Sequence, residues 1–142
     1  MRESEERFRQ ISENMHEMVV LLDHANDEVL YVNPVFEEIW GHPCESLYNN
    51  PALWVESVHP DDLDSWESAF KITQTTGKFE QEFRIIQPDG TIRWISDRTY
   101  PVYDESGVIY RRVAIAEDIT EQELSEQHLN ETARLASIGE LA

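Results

Sequence analysis

The sequence predicts an α+β domain built on an antiparallel sheet, and three observations predict it. Two short β-type runs stand near the start, "VVLLD" (19–23) and "EVLYVN" (28–33), separated by the polar turn "HAND". Three longer runs close the domain and are joined by the tight turns "PDG" (88–90) and "DESG" (104–107). Between these blocks, residues 42–78 carry helical periodicity, so helices and strands are segregated rather than alternating, which argues against a parallel, doubly wound plan.

Taken in order, Phe8, Ile11 and Met15 fall at helical spacing among charged neighbours, and residues 1–17 read as an amphipathic N-terminal helix. After the first two strands, Asn33 precedes Pro34, Phe36, Ile39 and Trp40. That pattern predicts an N-cap at Asn33, proline at the first helical position and a stop at Gly41. In the middle segment Leu63, Trp66, Ala69, Phe70 and Thr73 share one helical face, and Asp61 or Asp62 favours the positive end of that helix. From Lys78 the period becomes two, with Phe79, Phe83 and Ile85 on one side and Glu80, Glu82 and Arg84 on the other. "TIRWISDRTYPVY" and "VIYRRVAIAEDI" complete a three-stranded meander.

Composition narrows the function. The 142 residues carry 29 acidic and 11 basic side chains, a net charge of −18, which repels nucleic-acid phosphates and anionic lipid heads. Neither nucleic acid nor direct membrane contact is expected. A hydrophobic content of 40%, with five Phe, five Tyr and four Trp, is enough for a core despite the acidity. The lone Cys44 cannot form an internal disulfide and fits a reduced, cytoplasmic setting. There is no Gly-rich phosphate loop and no nucleophile elbow, so no enzyme chemistry is expected of these residues.

The segments "EVLYVNPVFEEIWGH", "VHPDD", "EFRIIQPDGTIRWISDRTYPVYDESG" and "RRVAIAEDIT" resemble, in order and spacing, a PAS domain with its PAC segment, over residues 4–120. The resemblance implies a five-stranded sheet of order 2-1-5-4-3, helices over one face and a small-molecule pocket between them. It divides the chain into the helix 1–17, a sensory domain 18–120 and a signalling helix 121–142. The last ten residues, "ARLASIGELA", are similar to the start of the dimerisation and phosphoacceptor helix of sensor histidine kinases. With no capping residue after Leu141 and Ala142, the chain is expected to be a sensor module of a longer kinase, membrane-anchored or not, whose catalytic part follows.

Within that frame the large apolar residues expected at the pocket are Phe36, Trp40, Trp54, Trp66, Phe70, Phe83, Trp94 and Ile115. Plain core packing is the competing reading of the same pattern. Asp118 and Thr120 in "EDIT" suit a helix cap, and in PAS domains this joint couples the sheet to the output helix. Leu124, His128, Leu135 and Ile138 follow heptad-like spacing, interrupted by Glu131, and predict a parallel homodimer through the terminal helix. Residues 121–142 hold five acids and one base, so that pairing works against repulsion.

His128 is followed by "LNETA", which does not match the family's phosphorylation motif. A flavin adduct needs a cysteine at about the level of "YNNP", and Cys44 lies before it in "GHPCESL". Haem needs an axial histidine on the middle helix, where Leu63 to Thr76 contains none and Trp66 stands near the ligand position. Both cofactors are disfavoured and the ligand is not identified by sequence. His59, Asp61 and Asp62 are too close in sequence to converge on one metal ion and read as helix caps. The expectation is a sensory module of a two-component histidine kinase. A ligand-free dimerisation adaptor and a PAS sensor for another output, such as a cyclase, are the alternatives.

Overall fold

A computed structural model describes residues 6, 7, 9–11 and 16–141, with the side chains of the last helix described as far as Ser137. Residues 6, 7 and 9–11 are helical, and Ile11 is exposed. Phe8, Met15 and the Ile138 side chain, which carried expectations above, lie outside the described residues.

Period-two patterning becomes sheet where expected. Strands β1 (Met18–Asp23), β2 (Val29–Val32), β3 (Phe79–Ile86), β4 (Ile92–Tyr103) and β5 (Ile109–Asp118) form one antiparallel sheet in the order β2-β1-β5-β4-β3. The N-terminal hairpin thus pairs with the C-terminal strand, Val19 opposite Ile115 and Leu21 opposite Val113. Helices α1 (Val35–Trp40), α2 (Cys44–Asn49), α3 (Leu53–Glu56) and α4 (Pro60–Thr76) lie between β2 and β3, and α5 (Thr120–Leu141) leaves the end of β5. Ile85, Ile95, Ala114 and Ala116 from the sheet and Phe36, Trp40, Leu47 and Trp66 from the helices form one buried core.

One expected cap is corrected. Asn33 is fully buried, but its side chain turns back to the first strand instead of capping α1. Its Oδ1 accepts from Val19 N at 2.9 Å and its Nδ2 donates to Glu17 O at 3.0 Å. Pro34 is the cap residue of α1 and supplies no side-chain acceptor. A buried amide that satisfies two backbone groups, on β1 and just before it, gains more there than at a solvent-facing helix end.

Helix α4 behaves as its pattern predicts: Trp66 and Thr73 are buried, Leu63, Ala69 and Phe70 half-buried. His59 caps it, with Nδ1 accepting from Asp61 N at 3.1 Å. Asp62 reaches across to β3, where Arg84 donates from Nε at 3.0 Å, from Nη2 at 2.8 Å and from its backbone N at 2.8 Å. Those bonds hold the Asp62 carboxyl below the ordinary carboxylate range.

The helix ends at Gly77, whose φ of 73° is left-handed and whose N–H donates to Thr73 O at 2.8 Å. A Cβ there would sit 2.6 Å from Pro101 Cβ on β4. Gly77→Ala is therefore expected to lower stability by about 2 to 3 kcal/mol, combining left-handed strain with a clash that rigid proline cannot relieve. Urea unfolding at neutral pH checks it. A loss under about 0.5 kcal/mol would mean the α4–β4 joint yields freely.

Candidate functional site

Between the helices and the inner face of the sheet lies a cavity of about 390 Å³, within the roughly 300–1,000 Å³ typical of small-molecule sites. Its aromatic wall is Trp54, Trp66, Phe70 and Phe79, with Trp66 stacked on Phe70 at 5.1 Å and tilted against Phe79 at 5.6 Å. Helical spacing of four places Trp66 and Phe70 on the same side of α4, facing the sheet. Thr99 and Ala114, opposite each other in register, belong to the sheet side.

Two ionisable residues in this wall are almost wholly buried. Asp97 is 2% exposed and its Oδ1 accepts from Thr99 Oγ1 at 3.1 Å. Burial pushes its carboxyl up to about 7, partly opposed by the Thr99 hydroxyl. Arg112, also 2% exposed, pairs through Nη2 with Asp27 Oδ1 and lies over the Phe70 ring at 5.7 Å. Its Nε and the indole Nε1 of Trp66 are buried without a hydrogen-bond partner among the described residues.

Of the residues expected at the pocket, Trp54, Trp66 and Phe70 line it. Phe36, Trp40 and Phe83 are buried core outside the lining, Trp40 stacking on Phe36 at 5.8 Å and on Trp54 at 4.5 Å. Trp94 and Ile115 are corrections: they stand out of phase with the buried rows Ile95–Asp97–Thr99 and Arg112–Ala114–Ala116, so they belong to the sheet's other face. There the Arg84 guanidinium lies over the Trp94 ring at 5.3 Å. Asp97, Thr99, Arg112 and Asp27 were not anticipated. The available signal was a polar residue in the apolar phase of a strand, as in "RWISDRT" and "YRRVAIA".

Cys44 starts α2 and does not line the cavity. Burial, with Glu37 alongside, pushes its thiol up to about 11, which leaves it unreactive at neutral pH. The lining contains no histidine, and no cluster of three or more metal-ligating side chains occurs among the described residues.

The joint between sheet and output helix is built as a double clamp on Trp94 of β4. Trp94 N donates to Thr120 Oγ1 at 2.8 Å, and Trp94 O accepts from Ile119 N at 2.8 Å. Asp118 Oδ1 in turn accepts from Thr120 N at 3.0 Å and from the Thr120 hydroxyl, while its Oδ2 lies 3.5 Å from Arg93 Nη1. Beyond the joint, Leu124, His128 and Leu135 are exposed on α5. Among the described residues, no helix is long and apolar enough to cross a membrane.

The site defines an α+β domain whose antiparallel sheet closes a cavity under its helices and passes its last strand directly into a long helix. The family model described as PAS fold matches residues 29–116, and the chain belongs to that family. It is 30% identical over 139 residues to the peroxide stress-activated histidine kinase mak3 of Schizosaccharomyces pombe, covering 96% of this chain and 6% of the relative. It is 29% identical over 126 residues to the two-component sensor PprA of Pseudomonas aeruginosa, covering 79% of this chain and 13% of that protein.

Among solved structures, the sensory box histidine kinase/response regulator from Burkholderia thailandensis E264 superposes with a TM-score of 0.68 at 23% identity, covering 92% of this chain and 98% of that one. The chain spans at most 19% of the length of the curated relatives it matches. It is a PAS sensor domain homologous to those of sensor histidine kinases.

Proposed function

We propose that this domain senses a small molecule in the cavity and transmits occupancy through the joint at Asp118 and Thr120 to a histidine kinase further along the same chain. One observation carries the reading: Asp97 and Thr99, which line the cavity, lie on the same strand as Arg93 and Trp94, which hold the start of α5. A displacement of β4 by a ligand therefore reaches the helix through three residues of continuous strand. The kinase relatives support the output, and the exposed Leu124 and Leu135 support a homodimer through α5, both partners working in the cytoplasm. No catalytic step is assigned to these residues themselves.

The test is native mass spectrometry of the purified chain, followed by a thermal-shift screen of metabolites. The expected result is a dimer that retains a small molecule or is stabilised by one, with the effect lost in Trp66→Ala. A ligand-free dimer that no metabolite stabilises would replace sensing by the dimerisation-adaptor reading.

A further inference from the structure

The lining of the cavity specifies more than its size. Asp27, Glu67 and Asp97 supply three carboxyl groups against the single guanidinium of Arg112. Asp27 already pairs with Arg112, and that guanidinium is further covered by the Phe70 ring. An anion entering the cavity would meet a neutralised cation and two further acids. Thr73 is occupied as well, its hydroxyl donating to Lys78 O at 2.7 Å.

Arg112 Nε and Trp66 Nε1 are fully buried without a partner among the described residues, and Glu67 is exposed, so the buried acceptor left for a ligand is Asp97. Thr99 engages one oxygen of this cavity-lining carboxyl and, among the described residues, no donor reaches the second. Asp97 and Arg112 sit four residues apart along the strands, because Asp97 faces Ala116 and Pro101 faces Arg112. At about 3.3 Å per residue, that separates them by roughly 13 Å. The Asp27–Arg112 pair therefore belongs to the other end of this stretch of strand from Asp97. The lining is aromatic on the helix side, with Trp66 and Phe70 stacked on each other, and small on the sheet side, with Ala114 and Thr99.

Building on the sensing role proposed above, we propose that this cavity selects a flat aromatic molecule bearing an amine, whose nitrogen donates to Asp97 while its ring lies against Trp66 and Phe70. Carboxylates and phosphates of the same shape are rejected. The aromatic wall supplies affinity for any planar ring, and the buried carboxyl supplies the discrimination, because an unpaired like charge beside it is costly.

The test uses three probes that share one ring: tryptamine, neutral indole and indole-3-propionate. Each is titrated into the full chain at pH 7.5 with amide NMR shifts at Thr99 and Ala114 as the readout. Tryptamine is expected to bind at least about tenfold more tightly than indole-3-propionate. Asp97→Asn is expected to reduce that preference to about threefold or less while indole binding persists. The comparison on the unaltered chain stands even if the variant folds poorly.

Equal or tighter binding of the propionate, or a preference that survives Asp97→Asn, overturns the amine assignment. If indole binds but charge makes no difference, the amine assignment fails and small-molecule sensing stands. If none of the three moves the cavity amides, this proposal fails, and the sensing reading is decided by the metabolite screen described above.

Discussion

Asp97→Asn is expected to make the domain more stable at pH 8, by about 4 kcal/mol, and to leave its stability near pH 4 unchanged. The sign follows from burial. The folded state pushes this carboxyl up to about 7 from an ordinary 3.8, so between those values the folded chain keeps a proton that the unfolded chain releases. Stability from this group is complete below about pH 4, declines as pH rises to about 7, and is flat above.

Asparagine has no such proton to lose, and its carbonyl can still accept from Thr99 Oγ1. Other pH effects cancel in the comparison. The net charge of −18 raises self-repulsion in both proteins alike. The Asp62–Arg84 contacts, which lower the Asp62 carboxyl, add stability present above its ordinary value and lost on acidification, again in both. Urea unfolding at pH 4.5 and pH 8 measures the difference directly. Parallel pH profiles for the two proteins would show that Asp97 is ionised in the folded state and that water reaches it freely.

The same residue shows where sequence reasoning reached and where it stopped. Strand periods, turn residues and the helical face of α4 depend on local spacing, and the structure follows them. Helix α4 buries Trp66 and Thr73, and β3 buries Phe79, Phe83 and Ile85. Size and hydrophobicity alone, however, do not separate core from cavity lining. Trp40 on α1 stacks on Phe36 and on Trp54, whereas Trp66 and Phe70 on α4 face the cavity.

Trp94 looked like a pocket residue because it is large, yet its phase on β4 assigns it to the opposite face, as does that of Ile115 on β5. Phase also held the missed information: Asp97, Thr99 and Arg112 stand in apolar rows where a polar side chain needs a reason. The pairing of Arg112 with Asp27, 85 residues apart, is a tertiary contact that no local pattern encodes. Asn33 makes the complementary point. Its local context favours a helix cap, and two backbone groups of the neighbouring segment outbid that preference.

Thr120→Val is expected to release α5 from the sheet without unfolding the domain. The hydroxyl accepts from Trp94 N and donates to Asp118 Oδ1, so its loss leaves a partly buried N–H of β4 without a partner and removes one of the bonds that fix the Asp118 carboxylate. Two hydrogen bonds and one orphaned donor correspond to about 3 kcal/mol, or a roughly hundredfold faster exchange of the Trp94 amide with solvent. The β4–β5 turn, closed by Asp104, is far from the joint and should exchange as before. Uniform acceleration would mean global destabilisation instead, and unchanged exchange at Trp94 would show that the Ile119–Trp94 bond holds the joint alone.

Asp118 separates the two forces acting at this point. Asp118→Ala removes both the acceptor for Thr120 and the partner of Arg93, while Asp118→Asn keeps an acceptor and removes the charge. A partly exposed ion pair at 3.5 Å with Arg93 contributes about 1 kcal/mol, and a cap about the same or more. The cap meets β4 only through Thr120, whereas the ion pair joins Asp118 directly to the strand that lines the cavity, so it responds to a shift of β4 without passing through Thr120. Asp118→Asn is therefore expected to leave α5 docked, with exchange at Trp94 within about threefold of the unaltered chain, and to weaken the response of a kinase placed after α5. Asp118→Ala is expected to weaken both. If Asp118→Asn preserves the full response, transmission runs through the Thr120 hydrogen bonds, and Arg93 only steadies the strand end.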